Sequence, residues 1–310
     1  MSFAVSRTTW LLLAPAALLL GVVAYRATVL AAAPAVPAAA MPVDAAQALP
    51  APVRLHGQPV AAAPPQSPDR RVALERSADL YRYAQRLSAA TAQGDAEASW
   101  LLSRIYDYCA GYAMDPAGYA ADTRALGTAQ LPAAARMIAA RARVGVRCAG
   151  FVPGDGLTRQ AILAQRLRAA RGGSLAAEAA LLALGQPLQA SAGYKRTLIE
   201  RVRASGDPDA YVALAPAMGL AASGDDSLDE RIAGTAFTEL AWQLAACRLG
   251  LDCGPDSDLM TRYCANGGIC AQDPTQDFSS FVYDAAVPRQ GRDTMNEMVN
   301  RLADTTGAGS

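Results

Sequence analysis

Apolar residues recur along most of this chain at the three- and four-residue spacing that lays one stripe along a helix. Leu74, Ala78, Tyr81, Leu87 and Ala90 keep that register up to Gly94, and Ala98, Leu102, Ile105 and Tyr106 continue it beyond. The spacing predicts a helix that starts at Ser67-Pro68-Asp69, with Ser67 as cap and Pro68 in its first turn, and stops where Gly94 opens a second helix. A small pattern then returns: Gly94, Ala98, Leu102; Gly173, Ala177, Leu181; and Gly206, Ala210, Leu214. It describes a tight turn followed by a helix whose alanine lets a neighbour approach closely. The last two copies are 33 residues apart, the period of a two-helix repeat. Further on, the pattern predicts a helix over Pro208–Met218, a break at Gly224-Asp225-Asp226, and a helix capped by Ser227 with Asp229 and Glu230 in its first turn. That helix carries Ile232, Phe237, Leu240, Trp242 and Leu244 and ends at Gly250. Short helices are expected over Asp256–Cys264, Pro274–Ala285 and Asp293–Ala303, with a loose tail from Thr305.

The first 68 residues break this pattern. Arg7 precedes an uncharged run from Thr8 to Tyr25 with two Leu-Leu-Leu triplets, so residues 1–30 read as a signal peptide or an N-terminal membrane anchor. Small residues at Ala31-Ala32-Ala33 and Ala38-Ala39-Ala40 suit cleavage, whereas Arg26 could snorkel and let a span continue to Leu30. Residues 31–68 form an Ala/Pro-rich stretch holding nine of the 19 prolines, a composition that buries no core and acts as a tether. The folded part is then residues 69–250, a helical-repeat-like domain, and residues 251–310, a short disulfide-bonded helical segment packed on it.

Ala90-Thr-Ala-Gln-Gly94-Asp95-Ala96-Glu97-Ala98 with Leu101, Ile105 and Tyr106, and Ala204-Ser-Gly206-Asp207-Pro-Asp-Ala210 with Leu214, resemble the Sel-type repeats. These relatives of tetratricopeptide repeats occur in bacterial cell-envelope proteins. The resemblance spans about residues 69–250, is degenerate, and skips Pro116 to Arg159. It implies an all-α, right-handed, solenoid-type array of αα-hairpins that binds other proteins, and it carries over no catalytic residue.

Six cysteines change the picture further. In Cys247-Arg-Leu-Gly250-Leu-Asp-Cys253 and Cys264-Ala-Asn-Gly267-Gly268-Ile-Cys270, each half has a cysteine at a helix end, a glycine at the stop and a second cysteine past the turn. A left-handed glycine folds the chain back and brings the two together. Local pairing is expected, although four cysteines allow three connectivities. Cys109-Ala-Gly-Tyr112 and Cys148-Ala-Gly-Phe151 echo each other, each following a helix, and form the third pair. Spacings of five residues between cysteines are too long for the usual zinc ligand pairs, so disulfides and an extracytoplasmic compartment, periplasmic or tethered to the inner membrane, are expected rather than a metal or cofactor.

Composition narrows the chemistry. Hydrophobic residues make up 52% of the chain but aromatic residues only 6%, an Ala/Leu balance that favours helix over sheet. With 28 basic and 28 acidic residues there is no overall field for nucleic acid. The single histidine, His56, falls in the Ala/Pro tract, and the single lysine, Lys195, follows Ser191 by four positions rather than three. Histidine-based triads and the Ser-x-x-Lys arrangement are therefore excluded from the folded part. What remains is binding. Tyr81, Tyr83, Trp100, Tyr106, Tyr108, Tyr112 and Tyr119 concentrate aromatic residues in one hairpin region, and Tyr81 and Tyr106 fall on the apolar stripes. Tyr83, Trp100, Tyr108 and Tyr112 are the candidate contacts for a protein partner in the envelope, with Tyr83 and Tyr108 the exposed members. Nine arginines between Arg124 and Arg171, against Asp155 alone, offer a basic face to peptidoglycan or another anionic polymer, with Arg136, Arg141 and Arg143 as its candidates. Asp107 and Glu97 are the carboxylates a glycan hydrolase would use. The leading expectation is a non-enzymatic interaction scaffold.

Overall fold

The computed structural model describes residues 70–304, and the signal or anchor and tether expected before them lie outside the described residues. The described chain is all-helical. Its thirteen α-helices are α1 (Arg70–Glu75), α2 (Leu80–Ala92), α3 (Ala96–Met114), α4 (Pro116–Ala125), α5 (Ala134–Cys148), α6 (Arg159–Arg171) and α7 (Leu175–Ala183). Then follow α8 (Ala192–Ser205), α9 (Pro208–Met218), α10 (Ala236–Arg248), α11 (Asp258–Gly267), α12 (Phe278–Ala285) and α13 (Arg292–Ala303). Among the described residues no helix is long and apolar enough to cross a membrane.

Local chemistry sets most boundaries. Asp79, Asp95, Asp115, Thr158, Ser174, Ser191, Asp207, Ser257 and Asp277 each turn a side-chain oxygen onto a first-turn amide of the helix that follows. Between α2 and α3, Gly94 takes φ +87°, and the Asp95 amide reaches back to the Ala90 carbonyl. Between α6 and α7, Gly173 at φ +96° does the same, with Ser174 bonded to Ala169. The left-handed glycine closes one helix and the next residue caps the following one, so a three-residue turn suffices. The alanines four positions beyond each repeated glycine, Ala98, Ala177 and Ala210, are fully buried, as are Leu102, Leu181 and Leu214.

Packing follows from these small faces. α3 lies against α2 on one side and α6 on another; α7 packs on α6, α8 and α9; and α10 sits between α9 and α13. One continuous core runs from Leu74 to Leu302, so the C-terminal segment belongs to the same body as the repeat-like part. The stretch that fits no repeat supplies α4 and α5, and α5 packs against α2, α3 and, from the far end of the sequence, α11. Gly150 gives Tyr81 room to stand edge-on to Phe151, with ring centroids 5.2 Å apart.

Four boundaries differ from the sequence expectation; one is the helix expected from Pro274, which starts only at Phe278, behind the Asp277 cap. The first helix is two, because Asp79 accepts from the Arg82 amide and starts α2 anew. Cys109 lies inside α3, which continues to Met114, so only Cys148 ends a helix. No helix begins at Ser227. Asp225 instead accepts from the Ser227 amide and hydroxyl, Asp229 from the Arg231 amide, and α10 starts at Thr235. Short aspartates held in such turns compete with helix formation.

All six cysteines are paired: Cys109–Cys148, Cys247–Cys253 and Cys264–Cys270. Left-handed Gly250 and Gly268 sit inside the two local loops. Such complete pairing fits folding in an oxidising, extracytoplasmic compartment.

Two outcomes check this packing. Replacing Cys109 and Cys148 by alanine releases a constraint 39 residues long and should lower unfolding stability by about 4 kcal/mol in the chain-entropy model, read from urea midpoints. Gly150→Ala would place a Cβ 2.5 Å from Tyr81 Cβ, and a loss of roughly 1–3 kcal/mol is expected in the same assay.

Candidate functional site

A cavity of about 360 Å³ opens where α1, α3, α6, α7, α9, α10 and α11 converge. Its floor is apolar: Ala180, Ala183 and Leu184 at the end of α7, Val212 and Ala213 of α9, and Leu251 and Leu259 before and within α11, with exposed Pro216 at the edge. Its walls are charged. Glu75 comes from the end of α1, Arg104 and Asp107 from α3, Arg166 from α6, Asp252 from the Cys247–Cys253 loop, and Asp258 and Arg262 from α11. Trp100 and Gln243 complete it.

Helix α3 explains why these charges are organised. It is surrounded by α2, α5 and α6, and between Ala98 and Ala113 its charged residues are Arg104 and Asp107. A charge on such a helix has to find partners. Arg104 donates to both Asp209 oxygens, at 3.0 and 3.2 Å, and lies 3.9 Å from Asp258. Trp100 Nε1 donates to the same Asp209 at 3.1 Å. Asp258 is also paired with Arg147, whose remaining donors reach the Ser77, Leu74 and Glu75 carbonyls at 3.0, 2.8 and 3.3 Å. Arg147 thus caps the C-terminus of α1, where carbonyls lack helical partners and the helix dipole favours a cation. Burial acts to lower the Arg104 and Arg147 guanidinium pKa values, but Asp209 and Asp258 outweigh it for Arg104, and Asp258 for Arg147, so both are raised.

Asp107 forms the second set. Arg262 and Arg166 donate to its Oδ2 at 2.9 and 3.1 Å. Burial works to raise the Asp107 carboxyl, yet the two guanidinium charges prevail and hold it below the ordinary range. Glu75 behaves in the opposite way. Burial pushes it up to about 7, against the pull of Arg104 and Arg71, and its Oε1 is enclosed without a hydrogen-bond partner.

The residues proposed from sequence are placed as follows. Tyr83 and Tyr108 are not exposed: they retain 2% and 8% of their surface, because α1 covers the first and α11 returns over the second. The Tyr83 hydroxyl donates to the Arg70 carbonyl, and Arg147 and Arg262 stack over the Tyr108 ring at 5.0 and 5.8 Å. Tyr106 is fully buried as its apolar register requires. Tyr112 stands edge-on to Tyr119, 5.6 Å away. Of the aromatic candidates, Trp100 alone lines the cavity. The arginines bind inward too. Arg136 donates to the carbonyl and side chain of Gln272, Arg141 to Thr123 while stacking 3.9 Å over Tyr119, and Arg143 to Thr261 with Asp256 at 2.7 Å. The two carboxylates considered for hydrolysis are not brought together. Asp107 lines this cavity, while Glu97 lines another of about 400 Å³ beside Gly173 and Asp207.

Sequence reading missed Glu75, Arg104, Arg166, Asp209, Asp252, Asp258 and Arg262. A signal for one of them was present: Arg104 and the already named Asp107 are the lone charges in an otherwise uncharged stretch from Ala98 to Ala113. The others are revealed only by what they touch. No protein-family model, curated protein or solved structure matches the chain.

Removing Asp258 (Asp258→Ala) leaves the largely buried Arg147 guanidinium without a carboxylate, while Arg104 keeps Asp209, and should cost about 3–5 kcal/mol in urea unfolding. Glu75 gives a pH signature. Because the folded state favours its protonated form, Glu75 should lose stability for the fold as pH rises from about 4.5 to about 7, with no further loss above. The stability difference between wild type and Glu75→Gln, measured by urea unfolding at pH 4.5, 6 and 8, should therefore shift in favour of the variant across that window and then level off.

Proposed function

We propose that this chain is a non-enzymatic interaction module of the bacterial envelope. Its helices form a degenerate αα-hairpin array of the Sel type, and it takes a segment of a protein partner into the 360 Å³ cavity. The observation that carries this reading is the combination of an apolar floor open to solvent with walls whose arginines are already neutralised. Arg104, Arg166 and Arg262 are each held by carboxylates, so their charges are already met and the site offers hydrophobic surface at its base. Pockets of roughly 300–1,000 Å³ with mainly apolar linings and a few fixed polar groups are the usual form of ligand sites.

The peptidoglycan alternative draws less support, since Arg136, Arg141, Arg143, Arg147, Arg166 and Arg168 of the basic stretch are bonded within the molecule. A glycan hydrolase keeps one supporting observation. Glu75, pushed up to about 7, and Asp107, held low, share the cavity, and carboxyl groups driven apart in this way are what acid–base division of labour needs. Turnover of purified sacculi that disappears in Glu75→Gln would establish that reading; its absence in wild type removes it.

For the interaction module, a photo-cross-linking residue at Pro216, at the cavity edge, should form a discrete protein adduct in cells. Filling the floor with Ala213→Trp should reduce that adduct about tenfold. An adduct that persists undiminished would place the contact elsewhere.

A further inference from the structure

We infer that the cavity takes a basic, amphipathic peptide segment, with an apolar side chain on the floor and a lysine or arginine at the mouth between Glu75 and Asp252. This rests on the interaction reading above and adds the chemistry of what fills the groove. Charge complementarity carries it. On the cavity wall Arg104 is paired with Asp209 and Asp258, and Arg166 and Arg262 share Asp107. Every guanidinium there already has a carboxylate. Glu75 and Asp252 are the carboxyl groups left over: among the described residues neither lies within ion-pair distance of an arginine or lysine, and Asp252 accepts only from the Gly254 amide, at 3.0 Å. An anionic segment would meet two carboxyl groups that have no counter-charge and would find no free arginine; a cationic one would supply the missing partner.

The environment of Glu75 agrees. Burial opposes its ionisation, Arg104 and Arg71 favour it, and Asp209 and Asp252 oppose it. A bound cation would add to the favourable side, so the site tightens on a basic ligand rather than merely tolerating it. The floor beneath, formed by Leu184, Val212 and Ala213, accepts an aliphatic side chain and offers it no hydrogen-bonding side chain. Alternation of one apolar and one basic residue matches this floor-and-mouth arrangement.

The test uses the oxidised full-length chain and three fluorescein-labelled hexapeptides in which leucine alternates with lysine, glutamine or glutamate, read by anisotropy. The lysine peptide should bind at least tenfold tighter than the glutamine peptide, and the glutamate peptide weakest. In Glu75→Gln/Asp252→Asn the lysine and glutamine peptides should converge to within about twofold. Ala213→Trp should abolish binding of all three, and Val212→Arg, which sets a cation at the floor, should reject the lysine peptide selectively. If lysine and glutamine peptides bind wild type equally and Ala213→Trp removes both, the charge inference fails while the groove reading survives. A lysine preference that persists in the double variant also overturns the inference. If no peptide binds, or none responds to Ala213→Trp, the groove reading falls with it.

Discussion

A charge removed from water must be met by an opposite charge, and that requirement at Arg104 and Asp258 holds this molecule in its final form. Arg104 sits on α3, packed among α2, α5 and α6, and reaches Asp209 and Asp258; Asp258 in turn meets Arg147, which holds the last carbonyls of α1. Five helices, α1, α3, α5, α9 and α11, are tied through four side chains. Hydrophobic burial brings helices together without fixing their rotation, because it has no direction. A network of this kind does have direction, and it is satisfied in one arrangement only.

The same network makes the cavity. The arrival of α11 on α5 and α3 completes the Arg262–Asp107–Arg166 set and raises a wall opposite the floor of α7 and α9. Had the C-terminal segment remained apart, Tyr108 would be an exposed aromatic and Asp107 would have lost Arg262. Closing the fold therefore converts a surface that resembles a recognition face into core and leaves a smaller cavity beside it. The two local disulfides flank that step. Cys247–Cys253 presents Asp252 and Leu251 to the cavity, and Cys264–Cys270 closes the end of α11.

Alanine does much of the remaining work. Helices α3, α6, α7 and α9, which pack on one another, bury Ala98, Ala169, Ala176, Ala177, Ala180 and Ala210, small side chains that lose little entropy on burial. The large residues are reserved for a few places: Tyr211 and Trp242 pack at 5.0 Å between centroids, and Tyr263, Phe278 and Phe281 form a second cluster under the disulfide-bonded segment.

What the sequence determined by itself is local. Helical periodicity, capping aspartates and serines, and the repeated glycine, alanine and leucine specify an all-helical chain with three-residue turns, because each of those effects acts within five or six residues. Pairing of Cys247 with Cys253 and of Cys264 with Cys270 was legible for the same reason, since a glycine turn joins each pair. The helix expected at Ser227 failed through a local competition between aspartate-held turns and helix that the apolar period does not register. Of the site, Trp100 and Asp107 were legible in the sequence, with Arg104 the other charge stranded in the same apolar helix. Their partners stand 59 to 155 residues away, at Arg166, Asp209, Asp258 and Arg262, and only tertiary structure could decide which charges meet. Burial of Tyr83 and Tyr108, the inward turn of the basic stretch, and the leftover carboxylates Glu75 and Asp252 all follow from that choice, because pairing of buried charges is a property of the closed fold and not of any segment.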